Sequence, residues 1–253
     1  MSFTGRLANA WYIFKTSLSF IKKDKSLIIV PVLLVLSLFL FIIITIFMYT
    51  RQASSILIFF IFMLIIYLWG IFLGAAQSWM VHEVAQGKDT TFLSGIKRAI
   101  KNIPDILLFA IVTLIISMIV GSLKKRGTLG HLAGNFISLI TGIAGKLVLP
   151  AMIVTERNFI DSVKQLGQAI KAIPEIAVFE IGIKPLTMLS LIISIGIAFL
   201  FGIAFSPLIG IILFAILLLA IIMFGILIEQ IYYTLLYLTL IEKKKIPGLK
   251  LHK

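Results

Sequence analysis

The sequence predicts an all-α membrane protein: six transmembrane helices arranged as three repeats, each an interfacial amphipathic helix followed by a two-helix hairpin. Three observations carry this. Long uncharged apolar runs recur through a 253-residue chain that is 60% hydrophobic and only 13% charged, with a mean hydropathy of +1.15, whereas soluble domains hold about 45–50% apolar and about 25% charged residues. Basic segments between the runs place apolar residues every three or four positions. One eight-residue segment returns almost unchanged at an offset of 70.

In chain order, Arg6 to Lys23 comes first. Leu7, Trp11, Phe14, Leu18 and Ile21 recur at helical spacing and form one stripe, with Arg6, Asn9, Thr16, Ser19 and Lys23 away from it. This helix is expected to lie flat in the membrane interface. Leu27 to Thr50 is the first span, 24 uncharged residues that reach about 36 Å against a hydrocarbon core of about 30 Å. It starts too late and runs too long for a secretory signal, so no cleavage is expected. Ala53 to Val81 follows as the second span.

A second amphipathic segment runs from Thr91 to Ile103, with Phe92, Ile96, Ala99 and Ile103 on one side. Spans three and four are Ile106 to Leu123 and Leu132 to Thr155, the latter interrupted by Lys146. The third amphipathic segment, Arg157 to Ile173, repeats the spacing with Phe159, Val163, Leu166, Ile170 and Ile173. Pro185 to Ile228 is uncharged for 44 residues, too long for one crossing. It must turn, and Ser206-Pro207 between Gly202 and Gly210 is the strongest signal, since proline disfavours helix at the residue before it.

The repeat rests on Ala99 to Ile106, which matches Ala169 to Ile176 at six of eight positions with an acid at the seventh in both. Pro104 and Pro174 end each flat helix and open the next span, where a missing N–H is harmless, and Asp105 and Glu175 face the positive end of the helix dipole. A degenerate third copy, Phe20-Ile21-Lys22 with Ser26-Leu27, precedes span one. The chain then reads as one polytopic domain with units at about 5–86, 87–155 and 156–245.

The formal charge of +13 belongs on loops beside lipid headgroups rather than on a nucleic-acid groove. With both termini inside, cytoplasmic segments hold seventeen Lys and Arg and outer loops four, Arg51 and Lys124-Lys125-Arg126. That asymmetry orients the chain as a multi-pass protein of a cell membrane with cytoplasmic N- and C-termini, although the Lys124 cluster runs against the rule. Anionic lipid is the expected partner, met by Lys22, Lys23, Lys25, Lys97, Arg98, Lys101, Lys164, Lys171, Lys243, Lys244 and Lys245. Nucleic acid is not; a protein partner or a second copy stays open. The chain has no cysteine, which excludes disulfides, thiolate metal sites and a cysteine nucleophile.

Arg6 to Pro31 with Trp11, Lys15, Ser17, Asp24 and Pro31, the segment Gly87-Lys88-Asp89 to Gly95, and Leu149-Pro150 followed by Glu156 to Ser162 resemble a family of uncharacterised six-span prokaryotic integral membrane proteins. That family is similar in turn to the membrane domain fused to some glycerophosphodiester phosphodiesterases. The resemblance implies a fold and a prokaryotic membrane, and brings no catalytic residues. The longest polar stretch, Val81 to Asp105, has no room for a phosphodiesterase barrel.

No enzyme is expected, and no metal or cofactor. His82, His131 and His252 are scattered, without metal-ligand spacing or a phosphate loop. His82 beside Glu83 is the nearest acid/base pair, and adjacent helical residues diverge by about 100°, which favours two headgroup-level polar residues. The informative groups lie within the spans. His131, Asn135, Ser138, Gly142 and Lys146 form a small, polar stripe on span four. Lys146 stands about 14 Å from the cytoplasmic end, a depth at which charge needs a partner or water. Glu229 on span six, above Tyr232, Tyr233 and Tyr237 read as an interfacial belt, reaches a similar depth as its charge partner. Glu180 and Lys184 can satisfy each other. Gly70-x-x-x-Gly74 and Gly130-x-x-x-Gly134 read as internal packing contacts rather than dimer seams. The expected function is a non-enzymatic, lipid-engaging membrane organiser or accessory subunit, with a small channel or transporter along the span-four stripe as the alternative.

Overall fold

The computed structural model describes residues 3–50, 56–169 and 173–247. Lys171 of the expected headgroup set lies outside them, as do the side chains of Glu180 and Lys184. The described residues are helical, with no strand: α1 (Phe3–Lys23), a 3-10 turn (Lys25–Ile28), α2 (Ile29–Thr50), α3 (Ile56–Ala85), α4 (Phe92–Lys101), α5 (Ile103–Lys124), α6 (Gly127–Thr155), α7 (Phe159–Ala169), α8 (Ile173–Ala204), α9 (Pro207–Leu236) and a π-helical turn (Tyr237–Ile241).

Among the described residues, five segments are long and apolar enough to cross a membrane: Lys25–Met48, Phe60–Ala85, Ile103–Lys124, Thr187–Ala204 and Pro207–Ile241. Where the sequence predicts span four, α6 is one continuous helix of 29 residues, of which Gly145–Thr155 stands out as a shorter apolar stretch. The 44-residue uncharged run turns at Phe205 and Ser206, and the Ser206 hydroxyl accepts the Ile209 N–H at 3.3 Å to cap α9. Its flanking glycines serve close packing as well. A Cβ on Gly210 would lie 2.7 Å from the Ala198 carbonyl and 2.9 Å from the Gly202 Cα, so only glycine lets α8 and α9 approach this closely. Pro104 sits in the first turn of α5, as the missing N–H allows.

The core lies at one end of the bundle. Leu73 to Ala85 of α3, Leu147 to Val154 of α6 and Leu227 to Tyr237 of α9 supply most of its buried residues, together with Ile13 and Phe20 of α1. The opposite halves of α2, α3, α8 and α9 expose Leu, Ile and Phe along their length, which is the surface a chain surrounded by lipid presents.

The short helices dock at the core end, and α1 does so on a different face from the one its stripe suggests. Ala10, Ile13, Ser17 and Phe20 are buried together with Asn9, which the sequence places on the polar side, while Trp11 is 62% exposed. Phe14, Leu18 and Ile21 lie half-buried at the edge. The helix is apolar on two adjacent faces, and packing against α8 and α9 takes the one with smaller side chains. On α4, Thr91 caps the helix by accepting the Ser94 N–H, and Gly95 and Ala99 face α3. The first amide of α7, that of Phe159, donates to Asp105 Oδ1 at 2.9 Å and ties α7 to the start of α5.

Candidate functional site

Lys146 and Glu229 meet. Lys146 Nζ lies 2.7 Å from Glu229 Oε1, joining α6 to α9, with side chains 34% and 43% exposed. The ammonium also stands 4.9 Å from the centroid of the Tyr233 ring, within cation–π range. One residue on, Gln230 Nε2 donates to Ser78 Oγ at 2.7 Å and to the Gly74 carbonyl at 3.1 Å. A Cβ on Gly74 would come within 3.2 Å of Leu149. Helices α3, α6 and α9 therefore converge on one polar junction inside the bundle, and Gly74 belongs to an internal contact. Gly130 and Gly134 likewise press on α5, where added Cβ atoms would meet the Leu123 carbonyl at 2.5 Å and Lys124 Cγ at 2.7 Å.

The remaining stripe divides. Ser138 and Gly142 line a groove of about 520 Å³ between α5, α6 and α7, from which Lys146 is turned away. His131 and Asn135, nearer the α6 N-terminus, are exposed. One helix face thus serves three environments rather than a single path.

Arg98 departs from the headgroup role expected for it. It is 8% exposed, its Nε and Nη2 donate to the Ile153 carbonyl at 2.9 and 2.7 Å, and its Nη1 pairs with Glu156. The guanidinium lies over Trp79 at 4.4 Å. It works as a cap supplied from another helix: the last turn of α6 leaves carbonyls without helical donors, and Glu156 ends that helix in the left-handed region at φ 57°. Hydrogen bonding from Arg98, and then its charge with that of Lys101, hold the Glu156 carboxyl below the ordinary value.

His82 and Glu83 turn to different partners. His82 is buried against Trp79, with Nε2 2.8 Å from Gln86 Nε2, whereas Glu83 Oε2 accepts hydroxyl hydrogen bonds from Thr90 and Ser94, both at 2.6 Å. Tyr232, Tyr233 and Tyr237 are buried instead of forming a belt. Tyr232 stacks on Phe179 at 3.8 Å, and the Tyr237 hydroxyl donates to Glu242 at 2.9 Å. Burial raises the Glu242 carboxyl, but Gln165, Tyr237 and Arg157 together bring it below the usual range.

The other expected headgroup residues are exposed: Lys22, Lys23, Lys25, Lys97, Lys101, Lys164, Lys243, Lys244 and Lys245. Lys101 approaches Glu156 at 3.8 Å and Lys164 meets Asp161 at 3.3 Å. Asp24, between Lys23 and Lys25, turns inward and accepts from the Ser26 N–H and the Thr90 N–H, both at 2.9 Å. Burial raises its carboxyl, and the bonds from Ser26 and Thr90 outweigh that and lower it.

No family model matches the chain, and no curated protein or solved structure does. Sequence reasoning missed the Gln230–Ser78 clamp, the Arg98 cap and the Glu242 junction. Gln230 had a signal, a polar residue beside Glu229 in an apolar span. Arg98 had none that separates it from Lys97 and Lys101.

Proposed function

We propose that this is a non-enzymatic, multi-pass protein of a prokaryotic cell membrane that engages anionic lipid through basic interfacial helices and acts as a membrane organiser or accessory subunit. In this reading α6 is a full span, the six spans and three short helices form three repeats, and both termini are cytoplasmic. The supporting observation is how charge is sorted at the core end. Asp24, Glu83, Glu156 and Glu242 spend their carboxylates on internal partners, while Lys22, Lys23, Lys25, Lys97 and Lys243 to Lys245 stay exposed. The face left over is cationic, and a basic residue beside an anionic bilayer contributes about 1 kcal/mol. The alternative, a solute path through the span-four stripe, has less support, because Lys146 engages Glu229 and faces away from the groove that Ser138 and Gly142 line.

The test is native mass spectrometry from bilayers mixing phosphatidylglycerol with phosphatidylcholine. The wild type should retain phosphatidylglycerol preferentially, the preference should weaken with salt, and Lys97→Gln/Lys101→Gln should reduce it. Equal retention of both lipids by the wild type would remove the reading.

A further inference from the structure

A groove of about 430 Å³ runs between the α1–α2 elbow and α9, walled by Ile21, Ile28 and Pro31 on one side and by Ile216, Ala220 and Leu227 on the other. Its volume falls within the about 300–1,000 Å³ of small-molecule sites. From Ile216 to Leu227 the wall is about 16 Å long, the shape for an extended chain rather than a compact solute. Its lining is apolar. No charged residue lines it, but Lys22 follows the lining Ile21 in the chain and Lys25 stands one turn before the lining Ile28, and both lysines are exposed. Among the described residues neither has an ion-pair partner, and the nearest acid in sequence, Asp24, is held inward by Ser26 and Thr90.

We infer that this groove holds one anionic phospholipid of the surrounding bilayer, an acyl chain lying along α9 and the phosphate between Lys22 and Lys25. An apolar wall with two exposed cations on the adjoining α1–α2 elbow matches the two halves of such a molecule, and that elbow belongs to the core end, the side on which the short helices lie. A zwitterionic lipid offers the same chain without the net charge. The inference rests on the lipid-engaging reading above and sharpens it, from a charged face to a single site.

Native mass spectrometry of the full chain, from bilayers of phosphatidylglycerol or of phosphatidylcholine, tests it with three variants. Ala220→Phe fills the groove from an exposed position. Lys22→Gln/Lys25→Gln removes the two elbow cations, and Lys243→Gln/Lys244→Gln/Lys245→Gln removes three cations elsewhere. The wild type and the Lys243 triple variant should keep one phosphatidylglycerol per chain as activation energy rises. Ala220→Phe should lose it, and the Lys22/Lys25 variant should bind it about 30-fold more weakly. Retention unchanged in the Lys22/Lys25 variant, or lost equally in the Lys243 variant, overturns the site, and the Lys22/Lys25 arm decides the matter alone if Ala220→Phe does not fold. Were the wild type still to prefer phosphatidylglycerol in that event, only the groove would fall. Were it to show no preference, the broader reading would fall with it.

Discussion

Lys146 and Glu229 meet at 2.7 Å between α6 and α9, so neutralising one removes the opposite charge beside the other. Lys146→Met and Glu229→Gln should each lower the melting temperature in detergent, and the double variant should recover part of the loss, a coupling of about 0.5–3 kcal/mol. A double variant no more stable than the weaker single one excludes the pair as a stabilising contact. This pair was legible because each charge interrupts a long apolar run, and a charge in such a run must find a partner or water. Arg98 was not legible. Periodicity marks Lys97, Arg98 and Lys101 as basic residues on a short helix, but which of them turns inward depends on a carbonyl 55 residues away, that of Ile153. The three tyrosines misled for a related reason: an aromatic group near a span end suits the interface, yet here Phe179 and Glu242 offer a stacking face and an acceptor inside.

Among the elements, α4 depends on one residue for its close approach to α3. A Cβ on Gly95 would stand 2.7 Å from the Ala76 carbonyl and 2.9 Å from Met80 Cγ, and backbone cannot move aside as a side-chain end can. Gly95→Ala should destabilise by about 1–3 kcal/mol, and Gly95→Leu should undock α4, freeing Arg98 from Ile153. Limited proteolysis between 88 and 102 reads this directly; a Gly95→Leu protein as resistant as wild type would show that the contact is dispensable. Helix positions and the hairpin turn at Ser206-Pro207 were readable because caps, prolines and run lengths are local. The docking face of α1 was not. Lipid and protein both favour apolar side chains, so a stripe that includes Trp11 cannot say which of the two it meets.

For the molecule as a whole, the absence of cysteine makes site-directed labelling clean. Single cysteines at Asp89 and Asn158 should react with an impermeant maleimide only from the cytoplasm, and at Gly127 and Ser206 only from outside; labelling of Gly127 from the cytoplasm would break the six-span reading. Element order was visible in the sequence, whereas the concentration of the core at one end was not, since it depends on how α3, α6 and α9 converge. One feature of that convergence bears on synthesis. The inner face of α1 packs on α8 and α9, which the ribosome delivers about 200 residues later, a wait of about 10–40 s at about 5–20 residues per second. Ala10, Ile13 and Phe20 complete their burial only then, since the 3-10 turn and α3 offer α1 less contact. During synthesis this face of α1 therefore waits for its main docking surface until α8 and α9 have been made.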